Sequence, residues 1–295
     1  MTRATRIRMA ALCVAVALLA GIASGIGVSM RGDGTTAEDV SIRGERFEWV
    51  TTGVYAYNPE RLVAEGVGWD AFTLFVAVPA LLVVAGLVAR GSFRGRLFAT
   101  GLFAYLFYQY LMYAMAWAFG PLLPLFIVVY AASLAGALWL ASSIGLAGLP
   151  ERFSGRFPRR SMGVLCLLMA LVLVGMWSQL IATGLRGDLS GANLLGQTTL
   201  VVQALDLGLI VPAALFTGVA VLRRRPVGYL LATVFVVKAL AMSLAILAML
   251  VSAWAVEGAP ELGGFAIFGA AAVASAWIGI RMYSSALSEP AEASP

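Results

Sequence analysis

Two ionisable side chains stand inside apolar runs of this sequence. Lys238, the only lysine, lies in LATVFVVKALAMS (231–243), and Asp206 lies in VVQALDLGLIVPAAL (201–215). Charges at such positions are costly in hydrocarbon, so they turn toward protein and find partners. Lys238 follows Arg225 by 13 residues and Asp206 precedes Arg223 by 17. At about 1.5 Å per helical residue, both lie roughly 20–25 Å from the same basic edge. The two helices are consecutive and antiparallel, so Asp206 and Lys238 are expected to pair, with Gln203 one turn away as a further hydrogen-bond partner. Such a pair either staples two helices or handles a proton or a ligand, and the residues leave both readings open.

A second polar group stands at the same height. In AYLFYQYLMYAMAW (104–117), Tyr105, Tyr108, Gln109 and Tyr113 recur at helical spacing. Such a stripe serves either helix packing or a polar cavity between helices, because hydroxyl and amide groups seek partners in lipid. Ser178 and Gln179 are candidates to extend it. Asp70, at the start of another apolar run, reads as a helix N-terminal charge near an interface.

The residues exclude several chemistries. There is no histidine, which removes His-ligated haem or zinc and a Ser-His-Asp triad. The two cysteines, Cys13 and Cys166, lie in apolar runs and form no metal-binding or disulfide pattern. No nucleophile–base pair or phosphate loop is recognisable, so an enzyme is disfavoured and no cofactor or metal is implied. The net charge of +5 comes from arginines in loops between apolar runs and does not mark a nucleic-acid surface.

The elements that hold these groups are spans. Hydrophobic residues make up 61% of the chain and charged ones 12%, the composition of a polytopic membrane protein. Crossing about 30 Å of hydrocarbon takes about 20 apolar residues. Eight runs qualify: 8–29, 70–89, 97–119, 122–143, 161–183, 199–222, 227–254 and 263–283. Arg3, Arg6 and Arg8, the turns at 90–96, 152–160 and 223–225, and Arg281 fall on one side of this pattern. The positive-inside rule then places both termini in the cytoplasm of a bacterial inner membrane. Trp69, Trp117, Trp177 and Trp254 are expected to form an outer aromatic belt. The first run also has the form of a secretory signal, but the internal symmetry described next favours its retention. Residues 30–68 form the one long external loop, with a short surface helix begun by Asn58-Pro59.

A shift of 133 residues lays PALLVVAGLVARGSFRGRLFAT (79–100) on PAALFTGVAVLRRRPVGYLLAT (212–233) without a gap. The paired Pro79/Pro212, Arg90/Arg223 and Gly95/Gly228 make this more than shared composition. The same shift puts Tyr105 on Lys238. The implied fold is all-α: eight transmembrane helices as two parallel four-helix repeats, related by an axis along the membrane normal. Its parts are a first half (1–143), a basic linker (144–160), a second half (161–285) and a disordered tail (286–295). DAFTLFVAVPALLVVAGLVARGSFRGRLFATGLFAYLFYQY (70–110), with ALDLGLIVPAALFTGVAVLRRRPVGYLLA (204–232), resembles a family of multi-pass bacterial membrane proteins with no assigned activity. That resemblance implies the topology and no mechanism. The expected function is transport or binding of a small molecule or ion at Asp206, Lys238, Gln203, Gln109, Tyr105, Tyr108 and Tyr113. The alternative is a non-catalytic membrane scaffold or accessory subunit. The bilayer is the expected partner.

Overall fold

The computed structural model describes residues 1–192, 194 and 196–287. Eight helices alternate in direction: α1 (Arg3–Ser29), α2 (Glu60–Ala89), α3 (Phe93–Ala116), α4 (Leu123–Ser142), α5 (Arg159–Leu185), α6 (Val201–Leu222), α7 (Pro226–Glu257) and α8 (Leu262–Ser285). All except α3 are long and apolar enough to cross a membrane. Tyr105, Tyr108, Gln109, Tyr110 and Tyr113, with Arg94 and Arg96 at its start, make α3 more polar than the rest. It is also the most enclosed helix. Sixteen of its 24 residues are buried, against four of 27 in α5, so its polar side chains meet other helices.

The bundle is built around α3 and α7, which cross each other. Helix α1 packs along α2, and α5 packs along α6. Helix α4 packs on α3, and α8 on α7. One end collects the chain start, the turns after α2, α4 and α6, and the end of α8. There Ser154 N–H donates to Ser285 O (2.8 Å), Leu287 N–H to Arg152 O (2.8 Å), and Arg94 Nε to Ala286 O (3.1 Å). Phe157 stacks on Tyr229 at 4.7 Å, so the 144–160 segment is packed against the bundle. Of the tail expected from residue 286, Ala286 and Leu287 are held by these bonds, and 288–295 lie outside the described residues.

The opposite end carries a small antiparallel hairpin, β1 (Thr36–Val40) and β2 (Arg46–Val50), in register Thr36↔Val50 to Val40↔Arg46. The expected loop therefore has sheet structure. Its turn is tied by Ser41, whose hydroxyl accepts from the Arg43 and Glu45 N–H groups. Arg61 joins this end together, with ion pairs to Glu65 (3.0 Å), Glu257 (3.1 Å) and Glu261 (2.9 Å).

The short surface helix expected after Pro59 is not separate. Helix α2 runs unbroken from Glu60, because Gly66 and Gly68 serve packing and do not break it. A Cβ on Gly68 would fall 2.3 Å from Ala248 O, so this glycine lets α2 lie directly on the backbone of α7. Asp70 is therefore one-third of the way along a helix and fully buried, not at an interface. Trp69, expected in an aromatic belt, is 3% exposed, whereas Trp254 is 46% exposed.

Helices α2 and α6 share an internal irregularity. Each contains a π turn, Thr73–Ala77 and Asp206–Ile210, in which the N–H of Val78 reaches Thr73 O and that of Val211 reaches Asp206 O. Pro79 and Pro212 follow. A proline ring clashes with the carbonyl four residues back, and the wider π turn relieves that crowding. The turns after these helices also correspond. Gly91 (φ 84°) and Arg224 (φ 55°) take the left-handed conformation, and Ser92 N–H→Leu87 O (3.0 Å) is matched by Arg225 N–H→Ala220 O (2.9 Å). Arg224 adopts this conformation without being glycine, which L-residues do rarely.

Candidate functional site

Asp206 opens the π turn of α6 and is 9% exposed. Its Oδ1 accepts from the Tyr108 hydroxyl of α3, and its Oδ2 accepts from the Trp177 indole N–H of α5 at 2.8 Å. Lys238, on α7, places its Nζ 4.2 Å from the centre of the Tyr108 ring. Three helices thus meet at one carboxylate, and a fourth brings Lys238 onto the ring beside it. The ammonium rests on the π face of the phenol whose hydroxyl holds that carboxylate, an arrangement that a ring quadrupole favours.

The expected direct pair is therefore replaced by a relay through a ring. Among the described residues no ion pair joins Asp206 to Lys238. Tyr108 occupies the space between them, which the spacing of two helices could not reveal because the ring comes from a third. The half-buried Gln203 contributes no side-chain hydrogen bond to Asp206 among the described residues. Ser178 and Gln179 are exposed and turn away, and Trp177 takes the inward position.

The other members of the α3 stripe fan out and do not line one face with Tyr108. Tyr105 accepts from Trp69 Nε1 (2.9 Å) and shares a hydrogen bond with Thr73 (2.8 Å). The Thr73 hydroxyl is also 2.7 Å from Gln109 Oε1. The Gln109 Nε2 group is buried, with no hydrogen-bond partner among the described residues. Tyr113 donates to Gly66 O (3.1 Å) and lies 3.3 Å from Asp70 Oδ1, while Tyr55 donates to Asp70 Oδ2. Tyr110 meets Ser24 and the Ala20 carbonyl, both at 3.0 Å. Tyr105, Tyr108, Gln109 and Tyr113 are all at or below 2% exposure, so they form a packed hydrogen-bonded seam rather than the walls of an open cavity.

Three residues join these networks beyond the expected set. Trp177, expected in an aromatic belt, points inward to Asp206. Asp70, expected as a helix N-terminal charge near an interface, lies inside α2, which begins at Glu60. Thr73 had a usable signal: under the 133-residue shift it falls on Asp206, just as Tyr105 falls on Lys238. The Thr73–Tyr105 hydrogen bond joins two neutral groups, whereas Asp206 and Lys238 at the shifted positions are ionisable.

No set of three or more His, Cys, Asp or Glu among the described residues could hold a metal. What the Asp206 arrangement can do is bind and release a proton, or present a negative and a positive group to a small polar solute. No family model, curated protein or solved structure matches the chain.

Proposed function

We propose that the chain is an eight-span integral protein of a bacterial inner membrane that transports or binds a small molecule or ion. In this reading Asp206, Tyr108 and Lys238 form its proton- or ligand-handling site, and the two halves are parallel four-helix repeats. Both termini face the cytoplasm, and the resemblance to multi-pass bacterial membrane proteins belongs to the same proposal. Support for the membrane setting comes from seven long apolar helices and from arginines gathered at one end. Helix α3 crosses at the centre, screened by the others. Support for the repeat comes from the matched π turns and the matched turn hydrogen bonds.

The observation that carries the functional reading is the charge at Asp206 and Lys238. The equivalent Thr73 and Tyr105 hold their helices together without any ionised group. Stapling alone therefore does not require the two charges, and their desolvation is costly.

The test uses proteoliposomes with a pH-sensitive dye inside and a panel of amino acids, sugars and organic cations added outside. Wild-type protein should acidify the lumen with at least one solute class, and Asp206→Asn should not. If no solute moves protons and none stabilises the purified protein against heat, transport and binding are both lost. The second reading, a scaffold, then takes over. It is favoured by the tight packing of Tyr105, Gln109 and Tyr113.

A further inference from the structure

A groove of about 530 Å³ opens at the basic end of the bundle, between the segment after α4, the last turns of α6 and the start of α7. Phe216, Val219, Ala220 and Arg223 follow the i, i+3, i+4, i+7 spacing and so lie along one face of α6. Leu146 faces them from the segment after α4, and Arg225 closes the groove at the α6–α7 turn. Phe216 is 57% exposed, Val219 40% and Leu146 43%, so the walls are uncovered apolar surface. Seven residues separate Phe216 from Arg223, and at about 1.5 Å each the apolar track is roughly 10 Å long. It ends at two cations.

Those cations are free. Among the described residues no ion pair or side-chain hydrogen bond engages Arg223 or Arg225. Three other arginines at this end are engaged within the chain. Arg94 donates to Ala286 O, Arg96 to Ser143 O at 2.9 Å, and Arg152 lies 3.8 Å from the Phe93 ring centre.

The geometry points to a binding site for one anionic phospholipid, with an acyl chain along Phe216, Val219 and Leu146 and its phosphate between Arg223 and Arg225. A free phosphate would leave the apolar track unused, and a zwitterionic lipid would bring its own headgroup cation beside the two arginines. Basic pockets between helices at the cytoplasmic face recognise anionic headgroups in this way. The inference rests on the proposed membrane setting and is independent of the transport reading.

The test uses the full chain in neutral detergent, with phosphatidylglycerol and phosphatidylcholine of matched acyl chains as probes, read by native mass spectrometry. Wild type should retain phosphatidylglycerol preferentially. Arg223→Gln/Arg225→Gln should lower that preference by about thirtyfold. Val219→Trp, which fills the track and keeps both arginines, should weaken phosphatidylglycerol as well. Equal retention of the two lipids, unchanged retention in Val219→Trp, or displacement of the lipid by inorganic phosphate would each overturn the site. So would a dimer cross-linked through Val219→Cys, which would put a second copy in the groove. Wild type that co-floats with vesicles yet shows no headgroup preference overturns the lipid site and leaves the membrane reading standing. A chain that remains soluble without detergent overturns both.

Discussion

Thr73 and Asp206 stand 133 residues apart, and each opens a π turn that leads into a proline. Their partners, Tyr105 and Lys238, are 133 residues apart as well. Thr73 and Tyr105 share a neutral hydrogen bond of 2.8 Å. Asp206 and Lys238 instead both contact Tyr108, the carboxylate at its hydroxyl and the ammonium over its ring.

If the positions are equivalent, a carboxylate at the first should fail for want of a cation. Thr73→Asp should destabilise the protein by about 3–5 kcal/mol, as an unpaired buried charge does. Adding Tyr105→Lys should recover part of that loss. Denaturant unfolding in detergent measures both. A neutral Thr73→Asp would show that the two environments differ in kind.

Tyr108 predicts an unequal pair of substitutions. Tyr108→Phe removes a hydroxyl that donates to a carboxylate and should cost about 1.5–3 kcal/mol. Lys238→Met removes a cation from a ring face and should cost only about 0.5–2 kcal/mol. A loss of about 3–5 kcal/mol for Lys238→Met would instead indicate a direct buried ion pair. The same unfolding measurement separates the two cases.

How much of this was legible follows from which interactions are local. The helices and their order are legible, since apolar run length and arginine turns are local features. Asp206 and Lys238 were readable as neighbours, because consecutive antiparallel helices fix relative height. Tyr108 between them was not, because rotation of a third helix decides where its hydroxyls point. The start of α2 differs from the expected residue 70, because Trp117 packs against Gly66 and the α7 backbone against Gly68, contacts that hold the helix unbroken from Glu60 and that no local feature announces. Within the expected external loop 30–68, TAEDV and RFEWV pair as strands, a pairing that is set across the turn rather than by either segment alone.

Sidedness has a direct check. Ile42 is 86% exposed in the hairpin turn, and Gly155 is exposed in the segment before α5. Both native cysteines are buried, so background labelling should be low. In intact cells a membrane-impermeant maleimide should modify Ile42→Cys and spare Gly155→Cys. The reverse pattern would invert the orientation.

The base of the hairpin should resist acid. The Thr52 hydroxyl, with help from the Thr35 N–H, lowers the Asp33 carboxyl to about 2 from its ordinary 3.8. A lowered carboxyl stabilises the fold above its unfolded value, and that contribution fades as pH falls through the folded one. The Asp33 contacts should therefore persist at pH 3 and be lost near pH 2. A carboxyl chemical-shift titration with a midpoint close to 3.8 would show that the Thr52 bond is absent in solution.

The central claim is that the charges at Asp206 and Lys238 serve function rather than folding. The most direct measurement is solute-driven lumen acidification by the doubly neutralised Asp206→Asn/Lys238→Met protein. No unpaired ion remains in that variant, so its stability should lie within about 1–2 kcal/mol of wild type, because the single losses need not add for groups that share a partner. A stable double variant that moves no protons, beside active wild type, is the predicted result. A stable double variant with wild-type acidification would contradict the account, since the charges would then be dispensable to the activity assigned to them.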